Sequence, residues 1–396
     1  MELRQVASAI VVTTGLFAAC TQIKDSSPPG VDLQDGGSGG DTSGQPGSAA
    51  GDGGDGHAGE PSSDGGAPAG VELSIWPTYA ADPQQASDAQ AVFAAVSVLS
   101  AGATTLTLAE RWDELSGATG SPRTLAWNRI EAMAKPYRDK DGNVAFCIDV
   151  VDRQQSAWPF KNSLAEAAAR EAMHRTIDEL YARFAAQLTH LCFGYEVDRY
   201  LSVASSSDAG NLLDFLEDSV AYARQHVAHT ERIAVGVAVT LGALSDPKNA
   251  DAPWLLGDEA IAVYDALARG NDGLKSPASG AEELGDALDA LANGSGLPLA
   301  LWEVGYPSSA GSNQKAQREY FNDLFALVGE RRDHISFVSV FSLNDRLVSD
   351  CDAEAARFGD EPGSLRSEAR CAMGLRADGA NKLAWPTVLS ALARYR

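Results

Sequence analysis

The chain has 396 residues, enough for one large domain or two ordinary ones, and 44% of them are hydrophobic, which allows a sizeable core. A formal net charge of −23 excludes nucleic acid as a partner, because a protein must neutralise phosphates to bind them and this one repels them. Five cysteines without a Cys-x-x-Cys pair and six scattered histidines offer no zinc site, which needs three or four convergent ligands, and no cofactor is expected.

Residues 1–20 read MELRQVASAIVVTTGLFAAC. Arg4 precedes an apolar run from Val6 to Ala19, too short to cross a bilayer and suited to the h-region of a signal peptide. The run ends Leu16-Phe17-Ala18-Ala19-Cys20, which resembles a bacterial lipobox. That resemblance implies a lipid on Cys20 after cleavage, and Thr21 behind it implies sorting to the outer membrane. An ordinary cleaved secretion signal is the alternative; either places the mature protein outside the cytoplasm. From Thr21 to Gly70 the chain is Gly, Ser, Asp and Pro with almost no large apolar side chain. Such a segment cannot bury enough surface to offset its ordering entropy and reads as a disordered tether. A G-x-G-x-x-G match at residues 51–56 and a G-x-S-x-G match around Ser38 fall inside it without a flanking strand and helix, and are set aside.

From Val71 onward, short β-rich runs alternate with long alanine-rich amphipathic segments. The predicted strands are 71–76, 104–108, 143–150, 190–194, 233–240, 260–264, 297–302 and 335–341. Predicted helices cover 86–100, 163–187, 212–229, 282–292 and 314–330, the second opening with a capping box of Ser163 and Glu166. The run His190-Leu191-Cys192-Phe193-Gly194 is almost continuously apolar, as a strand buried on both faces should be. Eight strands alternating with helices predict a parallel α/β arrangement, and residues 71–396 suit a closed (β/α)₈ barrel better than an open doubly wound sheet.

Barrels of this kind carry their chemistry just past the strand ends. The fourth strand runs into Tyr195-Glu196-Val197-Asp198 and the seventh into Glu303-Val304-Gly305-Tyr306-Pro307. Strands four and seven face each other across such a barrel, so two rim glutamates can converge on one bond. A retaining glycosidase needs such a pair about 5–5.5 Å apart, one carboxyl protonating the leaving oxygen and the other attacking the anomeric carbon.

The segments FGYEVDRYL at 193–201, LPLALWEVGYPSS at 297–309 and MGLRADGANKLAWP at 373–386 resemble, in order and spacing, stretches of clan A glycoside hydrolases. The 297–309 segment resembles the strand-seven stretch of endo-β-1,3-glucanase-like and endo-β-1,4-galactanase-like members. The resemblance spans essentially all of 71–396 and implies Glu196 as acid/base and Glu303 as nucleophile. Two departures stand out: Tyr195, a candidate substrate contact, where the family has asparagine, and Leu343 where a platform tryptophan is common.

Trp76, Trp112, Tyr264 and Tyr306 lie at or just past strand ends, where an aromatic face stacks on a sugar or packs in the core. Arg111 either orients a carboxylate or forms a surface ion pair, and Asp149 and Asp152 are candidate substrate contacts. Trp302 should point away from the site, because its neighbour Glu303 points in and side chains alternate along a strand. Cys351 and Cys371 bracket a charged loop and are an expected disulfide in an exported protein. Cys147 and Cys192 sit mid-strand and are expected as buried free thiols. The expectation is a monomeric, lipid-anchored retaining hydrolase of a β-linked glycan. The alternative is a carbohydrate-binding barrel in which Tyr195 and Leu343 mark lost catalysis.

Overall fold

The computed structural model describes residues 70–395 apart from 78–87, 118, 161–162, 227–232, 250–251, 267–272 and 358–360. The expected signal segment, Cys20 and most of the tether lie outside the described residues. Among the described residues, eight parallel strands close into a barrel. They are β1 (Glu72–Ile75), β2 (Thr105–Arg111), β3 (Asn143–Asp152), β4 (Leu188–Tyr195), β5 (Ala234–Thr240), β6 (Ala260–Val263), β7 (Leu299–Val304) and β8 (Ile335–Val340). Each pairs with its successor, and β8 returns to β1 with Phe337–Val340 opposite Glu72–Ile75.

Helices α1 (Asp88–Ala101), α2 (Thr124–Arg138), α3 (Ala167–Phe184), α4 (Ser206–His226), α5 (Ser279–Asn293) and α6 (Gln314–Glu330) link successive strands. Beyond β8 come α7 (Val348–Arg357), α8 (Leu365–Cys371) and α9 (Trp385–Arg394). The helix α6 shows why the pattern folds this way. Gln317, Tyr320, Phe321, Leu324, Phe325 and Val328 recur at helical spacing and are buried. The Asn313 side chain caps its start by accepting from the amides of Lys315 and Ala316, each at 3.0 Å. No helix is expected from sequence over Thr124–Arg138, where Pro136 interrupts the pattern, yet Trp127, Ile130, Met133, Ala134 and Tyr137 form one buried face there. The described residues between β5 and β6 hold only short helical turns at Leu241–Leu244 and Pro247–Asn249.

Two apolar layers result. An outer one packs strands against helices, and an inner one fills the barrel with Ala145, Cys147, Cys192, Ala238, Ile261, Val263, Ala300, Trp302 and Phe337. Two expectations are corrected inside this inner layer. Cys147 and Cys192 are a disulfide rather than free thiols, because parallel register sets them opposite each other with Cα atoms 4.2 Å apart. Trp302 points into the barrel, its ring 5.6 Å from Phe337. Trp302 follows Ala300 inward by ordinary alternation, and it is Glu303 that departs from it: Ala262 pairs with Leu301 but Val263 pairs with Glu303, a bulge that lets Glu303 reach the mouth beside an inward neighbour.

Candidate active site

At the end of β4 the backbone turns sharply. Gly194 has φ 73°, and a Cβ there would meet Val197 Cγ2 at 2.5 Å. Glu196 itself sits at φ 51°, a left-handed conformation that costs a residue with a side chain about 1 kcal/mol or more and clusters at functional sites. The short helix Val197–Val203 follows. Its Asp198 accepts from the Thr240 amide at 2.8 Å and hydroxyl at 2.7 Å, fixing the turn to the end of β5. One helical turn on, Arg199 places Nε 2.9 Å from Glu196 Oε2.

Glu303 leaves β7 at the bulge. The Tyr195 hydroxyl donates to its Oε2, and Arg370 Nη1 lies 3.3 Å from Oε1. Glu196 and Glu303 are each only 2% exposed. Burial raises the Glu303 carboxyl above its ordinary value, with Arg370 and the Tyr195 hydrogen bond partly offsetting it. Burial and then the Glu303 charge push the Tyr195 phenol well up, so it remains a donor. The residue that stands in the asparagine's place therefore spends its one donor on the opposite carboxylate.

What covers the pair is the segment after β8. Helices α7 and α8 are joined by the Cys351–Cys371 disulfide, Cα atoms 5.8 Å apart. Asp352 adds bonds from the Ser367 hydroxyl at 2.7 Å and the Gly363 amide at 2.8 Å. This cap brings Arg346, Glu354, Arg366 and Arg370 over the barrel. Glu354 is shared by three guanidiniums: Arg370 Nε at 3.0 Å, Arg153 Nη2 at 3.3 Å, and Arg346. Burial opposes its ionisation, but Arg370, Arg346 and Arg153 together hold it well below the usual carboxylate range. Arg153 also reaches Glu196, Nε to Oε2 at 3.5 Å. Asp265 joins Arg199 and Arg366, the latter at 3.2 Å. The mouth is thus a continuous layer of alternating charge that runs from Glu303 through Arg370, Glu354 and Arg153 to Glu196, Arg199 and Asp265.

The segments that carry the family resemblance also meet here. Lys382, from the tail, donates to the Ser308 hydroxyl at 2.7 Å and to Asp345. Gln317 of α6 bridges the carbonyls of Tyr306, Met373 and Gly374 at 2.8, 3.1 and 3.1 Å. The tail and the β7 loop are thereby locked together at the rim.

The sequence-predicted aromatics divide. Trp76 is half-buried at the mouth, donates to the Trp302 carbonyl at 3.0 Å and lies edge-on to Phe341. Trp112 is enclosed by Phe160 and Phe215 and donates to Thr176 of α3 at 3.0 Å, so its faces are taken by packing. Tyr264 and Tyr306 both stack on Tyr320 of α6, and the Tyr306 hydroxyl donates to the Lys275 carbonyl at 2.7 Å. These three belong to the packing outside the barrel wall, which corrects their placement as sugar platforms. Arg111 pairs with Asp113 at 2.9 Å and with Asp152 at 3.5 Å. Asp149 is buried beside them, and its carboxyl is pushed well up by that burial and by the Asp152 charge. The cap's Arg346, Glu354, Arg366 and Arg370 carry no signal of a site in the sequence. Arg199 was detectable, three residues past Glu196 on an incipient helix.

No family model and no curated protein matches this chain. Solved structures do. A GH5_18 variant from Bifidobacterium longum subsp. longum, in complex with Manβ1-4GlcNAc, has a TM-score of 0.61 at 15% identity, covering 82% of this chain and 78% of its own. A GH5_18 variant from Streptomyces cattleya with the same ligand has a TM-score of 0.60 at 14% identity, covering 82% and 81%. An exo-β-1,4-mannosidase from Opitutaceae bacterium strain TAV5 has a TM-score of 0.61 at 13% identity, covering 82% and 59%. Likeness at these identities shows a shared (β/α)₈ barrel, the fold of these glycoside hydrolases. The chemistry has to be argued from the residues.

Proposed function

We propose that this chain is a retaining glycoside hydrolase of a β-linked glycan, with Glu303 as nucleophile and Glu196 as acid/base. The observation that carries the reading is the convergence of two buried carboxylates, from β4 and β7, on one cluster: Tyr195, next to Glu196, donates to Glu303. Glu303 attacks the anomeric carbon while Glu196 protonates the leaving oxygen; Glu196 then takes a proton from the water that releases the sugar. Tyr195 and Arg370 hold the nucleophile's two oxygens apart and aimed. The β-linked disaccharide bound by the similar GH5_18 proteins supports the choice of linkage. The N-terminal sequence supports export and tethering to the outer membrane through Cys20. A panel of β-mannosides, β-glucosides, β-galactosides and xylans, assayed on purified protein, tests the activity. Glu196→Gln should lower turnover by about 10²–10⁴-fold, the usual worth of general acid–base catalysis. Turnover that survives both Glu196→Gln and Glu303→Gln ends the proposal.

A second reading, a carbohydrate-binding barrel without catalysis, is favoured by one observation: both glutamates are 2% exposed and already paired with arginines. It predicts binding on a glycan array with no product from any panel member.

A further inference from the structure

We infer that the mouth is built to accept a glycan bearing a carboxylate, a uronic acid residue, and that Glu354 of the cap occupies that carboxylate's place in the free protein. This deepens the hydrolase reading and rests on it. Three guanidiniums from three segments meet at Glu354: Arg153 just past β3, Arg346 in the loop after β8, and Arg370 on α8. Their side chains are 5%, 15% and 14% exposed and that of Glu354 is 10%, so the group is withdrawn from water. Arg153 and Arg370 continue directly to Glu196 and Glu303, so these two link Glu354 to both catalytic carboxylates.

A sugar that reaches Glu303 must displace part of this layer. The two catalytic carboxylates are required for the reaction, and Asp265 is held on the far side by Arg199 and Arg366. Glu354 is the remaining acid. If a neutral sugar takes its place, Arg153, Arg346 and Arg370 lose the one carboxylate they all share, and taking one carboxylate out of so buried a cluster of guanidiniums is costly. A uronate restores the balance, and guanidinium forks match the geometry of a carboxylate in a way that few other groups do. The contrary arrangement is a cap that lifts as a unit, carrying Arg346, Glu354 and Arg370 away together. It leaves a mouth with no reason to prefer an acid.

The test compares kcat/KM of the full-length wild-type protein for p-nitrophenyl β-D-glucuronide with that for the β-D-mannoside, β-D-glucoside and β-D-galactoside. The uronide should be favoured at least about tenfold over each neutral glycoside, because a site built around a polar group rejects analogues that lack it. Glu354→Gln should lower KM for the uronide, and Arg153→Gln should erase the preference. Binding is measured alongside: D-glucuronate should raise the melting temperature of wild type, and more so of Glu354→Gln, while D-glucose does not. Neutral glycosides cleaved as well as the uronide overturn this inference and leave the hydrolase reading standing. Glucuronate stabilisation without any turnover has the opposite meaning: the acid site holds and the hydrolase reading falls. Glucuronate and glucose indistinguishable in melting and in turnover overturn it even if the Glu354 variant does not fold.

Discussion

The two ends of the barrel each bury carboxylates but satisfy them differently. At the floor, Glu72 accepts from the Thr105 hydroxyl at 2.9 Å, the Thr189 hydroxyl at 3.1 Å and the Asn143 amide at 3.3 Å. Glu259 meets His190 Nδ1 at 2.9 Å and the Ser336 hydroxyl at 2.7 Å. These partners sit on strands, held in place by the parallel ladder. At the mouth, Glu196, Glu303 and Glu354 are met mainly by guanidiniums on loops and on the cap. Partners fixed by a ladder serve the fold alone. Partners on loops and on the cap can be exchanged for a ligand, and the mouth is where catalysis is proposed.

The comparison breaks most visibly at the nucleophile. Glu303→Gln should remove turnover by more than about 10³-fold, larger than any effect of a floor substitution on rate, in a protein that still folds. Glu259→Ala should do the reverse. It leaves His190 buried without its closest partner and should cost about 3–5 kcal/mol in denaturant unfolding, the usual result of removing one member of a buried pair. If Glu259→Ala slowed the enzyme as much as Glu303→Gln, the division between floor and mouth would be lost. Next in size is the cap's clasp. Opening the Cys351–Cys371 bond, whose partners are 20 residues apart, by Cys371→Ser should cost up to about 3 kcal/mol in the chain-entropy picture. Amide exchange should speed up over residues 346–371 and stay slow in β1 to β8. Uniform loosening of the strands would show that the disulfide braces the barrel and not the cap.

Much of this was legible in the sequence. Strands buried on both faces have no polar alternation to hide, so apolar runs such as 190–194 mark them directly, and both rim glutamates follow from where those runs stop. What escaped depends on register and on distance along the chain. The bulge at Trp302–Glu303 adds a residue that periodicity cannot foresee, so an inward Trp302 and a site-facing Glu303 can be neighbours. The Cys147–Cys192 pair needs the alignment of β3 with β4, which neither strand encodes alone. The arginines of the cap look like surface charge in sequence, because Arg346, Arg366 and Arg370 follow the last strand and reach the glutamates only through the tertiary fold. Trp112, Tyr264 and Tyr306 show the converse: an aromatic at a strand end packs sideways under a helix as readily as it faces the mouth.

The smallest expected effects are those of pH, and they separate the two ends without disturbing either fold. At the mouth, burial raises the Glu303 carboxyl, against Arg370 and Tyr195. A nucleophile must be ionised, so the acid limb of the rate profile should lie above the ordinary carboxylate value of 4.5. Arg370→Gln removes the leading opposing charge and should move that limb further up. At the floor, burial disfavours the charged His190 ring, but Glu259 and Glu72 outweigh it and raise the ring above its ordinary value of 6.5. A raised folded-state value means that the imidazolium's contribution to stability is complete below pH 6.5 and fades as pH rises through the folded value. Melting curves taken upward from pH 6 should therefore show stability falling in wild type, and His190→Gln should flatten that fall while leaving the acid limb of the rate where it was. A His190→Gln variant whose rate profile moved would mean that the floor and the mouth titrate as one network through the barrel's inner layer, because Trp302 and Phe337 lie between them.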